Sequence, residues 1–232
     1  LDASNDKKLM AVESESRPRG FWPVFKGESF DLWEPDRGAG TYYAWADPKK
    51  VVPHLHQKAL RGTLLKSSAF SEFDARRFSN RESLPCYAPR IAFRDVTNRT
   101  NQRTVIAALV PPKVFIANQA PYLLWPRGNE QDAAFLLAVL SSLPLDWYAR
   151  RFVETHVNFY IFAPFPIPRP SRGDLLWLRA VQLAGRLAAV DDRYADWAAA
   201  VGVECGPVDA KLKFDMICEL DAVVALLYGL DE

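Results

Sequence analysis

Cysteine is scarce in this sequence of 232 residues, and the three present, Cys86, Cys205 and Cys218, are odd in number and share no C-x-x-C spacing. That excludes a disulfide framework and a cysteine-built zinc cage, and reduced thiols are expected. Histidine is equally thin, at 3 residues. His54 and His56 offer two imidazoles, but Pro53 disturbs the local backbone and no third metal ligand is evident. The uncharged apolar runs all fall well short of the ~20 residues that a membrane span needs. Neither a G-x-S-x-G nucleophile elbow nor an internal repeat with a period of about 20 to 50 residues is found. Leu1 to Arg19 lack both an apolar signal core and an initiator methionine, which argues against secretion. A cytoplasmic segment cut from a longer polypeptide is expected.

Apolar residues make up 49% of the chain and charged residues 25%, which is ordinary globular usage and enough to build a core. The net charge of +1 conceals an asymmetry. Residues 1 to 57 hold 8 basic and 9 acidic side chains, residues 58 to 103 hold 10 and 4, and residues 104 to 232 hold 11 and 15. The positive charge is concentrated in the middle, where a polyanion would bind.

Phe21 to Phe25 reads as a strand closed by Lys26-Gly27, with Thr41 to Trp45 as its partner. Asp47-Pro48 opens a short helix that Pro53 perturbs or ends, and Lys58 to Ser83 is mainly loop. Pro89 to Val96 reads as a half-buried strand, with Ile91 and Phe93 facing a core and Arg90 and Arg94 facing away. Thr104 to Val110 and Val114 to Ala117 read as covered strands, and Val157 to Phe162 is strand-like. Helices are predicted from Asp132 to Leu140 and onward from Ser142 to Phe152, before an extended proline-rich run from Ala163 to Pro170. Beyond Ser171, Leu176, Ala180, Leu183, Leu187, Val190, Tyr194 and Trp197 follow a seam spacing; Gly202 to Pro207 breaks it, and Asp209 caps a last helix ending at Gly229. The predicted class is α+β: a polar leader over residues 1–19, a mixed-sheet domain with flanking helices over 20–170, and a helical hairpin over 171–232.

The stretch most suggestive of chemistry is Arg90 to Thr104, a strand running into a loop dense in Arg, Asn and Gln. Arginine presents a planar fork of donors suited to phosphate and to guanine edges, whereas Asn and Gln pair with adenine. Arg90, Arg94, Asn98, Arg99, Asn101 and Arg103 are therefore the candidate DNA-facing residues, and Lys58, Arg61, Lys66, Arg76, Arg77 and Arg81 the candidate phosphate contacts. The alternative for Arg94 and Asp95 is local pairing that fixes the strand-to-loop turn.

Four stretches in order carry a family resemblance. They are Phe25-Lys26-Gly27 with Phe30 to Trp33 through Tyr43-Ala44-Trp45; the block from Arg90 to Pro112; Phe135 to Ser142 leading to Asn158-Phe159-Tyr160 and Pro166 to Pro170; and Glu219 to Leu230. As a set they resemble the C-terminal target-recognition region of adenine-specific type IIG restriction-modification DNA methylases and of related BREX and DISARM phage-defence methylases. The resemblance implies sequence-specific binding of double-stranded DNA, in cis with a methyltransferase domain that uses S-adenosylmethionine. It also implies that the chemistry lies elsewhere, because this chain has neither the family's glycine loop after a first strand nor its Asn-Pro-Pro-Tyr motif. Asn118-Gln119-Ala120-Pro121-Tyr122 is only a superficial echo of the latter.

Two other readings stay open. Asp36, Asp47 and Lys49 match on paper the acid-and-lysine pattern of magnesium-dependent nucleases, although Pro48 suits a helix start better than a central strand. A helical protein-interaction module would use the seam at Leu183 and Leu187.

Overall fold

The computed structural model describes residues 1–2, 5–11 and 17–230, and its class is α+β. The strands are β1 (Met10–Ala11), β2 (Trp22–Phe25), β3 (Ala44–Ala46), β4 (Arg90–Phe93), β5 (Ala107–Val110) and β6 (Phe115–Ile116). Four of them form a mixed sheet in the order β1-β3-β2-β6, antiparallel except where β2 meets β6. Pro23 has no N–H to donate, and β6 runs beside only Val24 and Phe25, past the proline. The remaining two, β4 and β5, form a separate antiparallel pair with Arg90 opposite Val110 and Phe93 opposite Ala107. Residues Pro121 to Leu123 lie along the other edge of β4, where Phe93 N donates to Pro121 O and Leu123 N to Ile91 O. The expected single sheet is thus divided, and part of the polar leader belongs to it: Met10 and Ala11 pair with Ala46 and Trp45.

Helix α1 (Pro48–Thr63) starts as the sequence suggests, with the Asp47 carboxylate accepting from Lys49 N and Pro48 in the first turn. It differs from expectation in its length, because Pro53 sits inside it without ending it. Val51, Val52 and Ala59 are buried against the N-terminal sheet, and that packing outweighs one missing helical hydrogen bond. Past Thr63 the chain makes short turns whose Phe70, Phe73 and Phe78 cluster under α1, with Phe70 and Phe78 edge to face. Gly62 is required there, since a Cβ would stand 2.7 Å from Ser68 Oγ and 3.0 Å from Phe70 Cβ.

The other helices are α2 (Glu130–Leu140), α3 (Leu143–Ala149), α4 (Phe159–Phe162), α5 (Leu175–Ala188), α6 (Ala195–Val201) and α7 (Ala210–Leu227). Each of α2, α3, α5 and α7 opens on a side-chain cap: Asn129, Ser142, Asp174 and Asp209. Asn158 caps α4, so the strand predicted at Val157 to Phe162 is one helical turn instead. The hairpin of α5 and α7 is present, but the predicted seam is cut at Ala189, after which α6 forms a separate short helix. Gly202, at φ 88°, takes the left-handed position that ends α6.

A single core joins the β4–β5 pair to these helices. Phe93, Leu109, Phe135, Leu140, Trp177, Leu183, Leu187, Tyr194 and Leu220 all belong to it, and the Tyr194 hydroxyl donates to Leu109 O at 2.8 Å. Leu183 and Leu187 are buried and offer no external seam. Among the described residues no helix is long and apolar enough to cross a membrane. Leu183→Ala is expected to cost about 2–5 kcal/mol in urea denaturation while leaving the oligomeric state unchanged. An altered oligomeric state at unchanged stability would instead mark Leu183 as an interface residue.

Candidate nucleic-acid interface

Beyond Phe93 the chain keeps pairing but changes partners. Arg94 N donates to Ile106 O at 3.0 Å, Val157 N to Asp95 O at 2.7 Å, and Thr97 N to Thr155 O at 3.0 Å. Segment 95–97 is therefore zipped to segment 155–157, and the residues between Thr97 and Thr104 must bulge outward as a loop. Thr97 Oγ1 closes the neck of that loop by donating to Thr104 O at 2.7 Å. At its tip the Asn98 carboxamide accepts from Thr100 N and Thr100 Oγ1, both at 2.9 Å, the local turn that short polar side chains favour.

Two residues of the α3 region hold the loop from beneath. Asp146 is 2% exposed, and its Oδ1 accepts from Thr104 N at 2.7 Å and Val105 N at 2.8 Å. Its Oδ2 accepts from Arg150 Nε at 2.8 Å. The Arg150 guanidinium then donates to Arg99 O at 3.0 Å, Asn101 O at 2.8 Å and Gln102 O at 2.7 Å. A buried carboxylate aims the arginine, and the arginine neutralises three loop carbonyls that would otherwise face a ligand. With their backbone so occupied, Asn98, Arg99, Thr100, Asn101 and Gln102 keep their side chains exposed.

The remaining arginines of the sequence motif turn inward, which corrects the expectation that they face DNA. Arg90 is 8% exposed and donates to the carbonyls of Pro85 and Val114. Arg94 donates to Phe30 O and to the Asp31 carboxylate at 2.8 Å, fixing the strand-to-loop turn through a more distant partner than Asp95. Arg103 reaches Asp221 of α7 at 3.5 Å. Asp221 also accepts from Leu143 N at 2.7 Å at the start of α3, and burial, against these favourable contacts, holds its carboxyl above the ordinary range. Strand alternation does not hold for Arg90 because both faces of β4 are covered, and Arg94, just past the strand, is drawn in by Phe30 O and Asp31.

The second basic group lies on α1 and the turns after it. Lys58, Arg61, Lys66, Arg76, Arg77 and Arg81 are all exposed, as phosphate contacts require, and Arg77 lies over the Phe73 ring at 5.1 Å. This group joins the Arg90 end of β4, whereas the 98–102 loop leaves the Phe93 end. The two basic groups thus join the chain at opposite ends of the four-residue β4.

Exposed aromatic side chains outside the predicted contact residues lie on α3 and α4, the elements joined to the loop through Asp146 and the 155–157 segment. Trp147 is 62% exposed with the Arg151 guanidinium 4.2 Å from its ring centre, and Tyr160 is 86% exposed on α4. Ring contacts run from exposed Phe159 through Phe93, Phe162, Phe165 and Tyr148 to exposed Phe152. Aromatic faces interleaved with arginines next to a polar loop suit a nucleic acid, because bases stack on rings while guanidinium groups meet phosphates. The visible signal was Trp147-Tyr-Ala-Arg-Arg151-Phe152, which a helical reading treats as core.

The nuclease residues are kept apart by separate structural roles. Asp36 accepts from the Tyr42 hydroxyl at 2.6 Å, Gly38 N at 3.1 Å and Arg193 Nη1 at 2.6 Å. Asp47 caps α1, and Lys49 stands exposed in its first turn. His54 faces Asp6 at 3.2 Å while His56 Nε2 lies 2.6 Å from Phe78 O. Among the described residues no three His, Cys, Asp or Glu side chains are placed to share a metal ion.

Asp146→Ala is expected to lose about 1.5–3 kcal/mol of stability and to speed hydrogen exchange at Thr104 and Val105 far more than at β5. Because burial raises the folded-state pKa of Asp221, its proton is held more tightly folded than unfolded, so its contribution falls as pH rises above the ordinary carboxyl range. Asp221→Asn should flatten that part of the stability profile measured by denaturant titration from pH 3 upward. The sequence matches no family model, and no curated protein matches it.

Proposed function

We propose that this chain is the sequence-specific, double-stranded DNA recognition region of an adenine-specific restriction-modification methyltransferase. The observation that carries the reading is the 98–102 loop, whose carbonyls at 99, 101 and 102 are taken by Arg150 while Arg99 and Gln102 stay exposed and Asn98 and Asn101, each held by one end of its amide, keep the other end for DNA. Arg99 and Arg151 supply phosphate or guanine contacts, Asn98 and Asn101 pair with adenine edges, and the exposed residues from Lys58 to Arg81 track the backbone of the duplex. The resemblance to type IIG and BREX or DISARM methylases supplies the link to methylation.

In this reading the region is not itself catalytic, and it works in the cytoplasm, in cis with a methyltransferase domain. S-adenosylmethionine would be held by that domain. The residues here do not suit an adenine pocket: Pro121 and Leu123 are hydrogen-bonded along β4, Ala120 is fully buried, and the Tyr122 ring lies against Arg90. Target adenine extrusion and methyl transfer therefore belong to the other domain, and this one selects the site.

Fluorescence anisotropy with a randomised duplex pool and with duplexes enriched from it tests the proposal. Binding should weaken steeply with salt, and Arg99→Ala should lower the magnitude of the salt slope by about 1. Asn101→Ala should cost about 1–3 kcal/mol of discrimination at one base pair and little elsewhere. Absence of salt-dependent binding to every duplex at low ionic strength would refute the reading. Magnesium-dependent cleavage lost in Asp36→Ala would favour the nuclease instead.

A further inference from the structure

Arg90, the first residue of β4, carries a cation into the interior without an acidic partner. Its Nη1 donates to Pro85 O at 3.1 Å, its Nη2 donates to Val114 O at 2.9 Å, and the Tyr122 ring centre lies 5.1 Å from the guanidinium carbon. The Nε–H has no partner within the protein. Every one of these neighbours is neutral. Burial depresses the arginine pKa, and the groups acting in the opposite direction are the phenols of Tyr122 and Tyr194 and the Cys86 thiol. Arginine does not lose its proton in proteins, so the interior holds a persistent charge whose desolvation no carboxylate offsets.

The space beside this charge is shaped for a ligand. A cavity of about 210 Å³ is lined by Arg90, Lys58, Phe70, Leu84, Cys86 and Phe115 among others, and no Asp or Glu contributes to its wall. Arg90, Lys58 and the Leu1 ammonium, which donates to Ile116 O at 2.7 Å, bring positive charge to a largely apolar chamber. An apolar cavity of about 150 Å³ is enough for benzene, which sets the scale of a body that fits here. Nη1 and Nη2 each spend one N–H on a carbonyl and Nε–H is closed off from the surface, which leaves the second N–H of Nη1 and of Nη2 for a planar acceptor.

We propose that this cavity binds a small organic anion, a carboxylate borne on a flat apolar body, with Arg90 pairing the carboxylate, Lys58 adding charge, and Phe70 and Phe115 enclosing the ring. The site shares only Lys58 with the proposed duplex contacts, and Arg90 lies at the opposite end of β4 from the 98–102 loop.

Benzoate is the probe, with isosteric but neutral benzamide as the comparator, on the chain carrying Cys205→Ser and Cys218→Ser. Benzoate should shift the Arg90 Nε–H resonance saturably with a dissociation constant of about 0.1–1 mM and slow alkylation of Cys86 by iodoacetamide over the same range. Lys58→Gln, an exposed position that leaves the fold intact, should weaken benzoate several-fold. Arg90→Met should abolish binding, and if that variant does not fold the Nε–H titration and Lys58→Gln decide alone. Benzamide binding as tightly as benzoate would overturn the assignment. So would an Arg90 resonance and a Cys86 alkylation rate that do not respond to tens of millimolar benzoate.

Discussion

One buried carboxylate organises the exposed loop. Asp146 is 2% exposed, yet it satisfies two backbone amides at the end of the loop and the guanidinium that supports the rest of it. A buried charge is tolerated only when its hydrogen bonds are met, and here the two amides come from a distant part of the chain and the guanidinium from one turn further along the helix. The consequence is reciprocal. The loop anchors α3 through Asp146, and α3 fixes which loop atoms point outward. Asp221 repeats the device from α7, taking both Arg103 and the first amide of α3.

Hydrophobic packing sets the frame in which these polar contacts operate. The β4–β5 pair is covered by α2 and by the C-terminal helices, so Phe93 and Leu109 share a core with Trp177, Leu183 and Leu220. Phe93 also stacks on Phe162 at 4.5 Å, which carries α4 and its exposed Tyr160 to the side of the loop. The aromatic turn and the polar loop are neighbours because segment 95–97, which leads into the loop, pairs with segment 155–157, which leads into α4.

The arginines divide by what their surroundings offer. Arg90, Arg94 and Arg150 turn toward backbone carbonyls, since a guanidinium has more donors than any single acid can use and unpaired carbonyls in loops need partners. Arg99 and Arg151 remain at the surface, the latter stacked on Trp147. Composition alone does not separate these uses. A run such as Arg90 to Arg103 counts as one basic patch in sequence, yet it becomes part scaffold, part surface.

Local rules made much of this protein legible before folding. Asp47-Pro48, Ser142 and Asp209 open helices because their short side chains cap free amides, and Gly229 follows the last helix because it tolerates positive φ, whereas the caps at Asn129 and Asp174 set starts that differ from the predicted Asp132 and Ser171. The strands near Trp22, Arg90 and Ala107 and the α+β class were readable in the same way, from aromatic and β-branched runs ended by proline or glycine. The sheet's division into two, the passage of α1 through Pro53 and the helical turn at Phe159 were not, because each is settled by long-range packing that outweighs local preference. The sequence by itself determined where the elements begin and where positive charge accumulates. Only the tertiary structure decided which arginines are buried and which side chains surround the loop, because Asp31 and Asp221 meet their arginines, and Asp146 the amides of Thr104 and Val105, across tens of residues of chain.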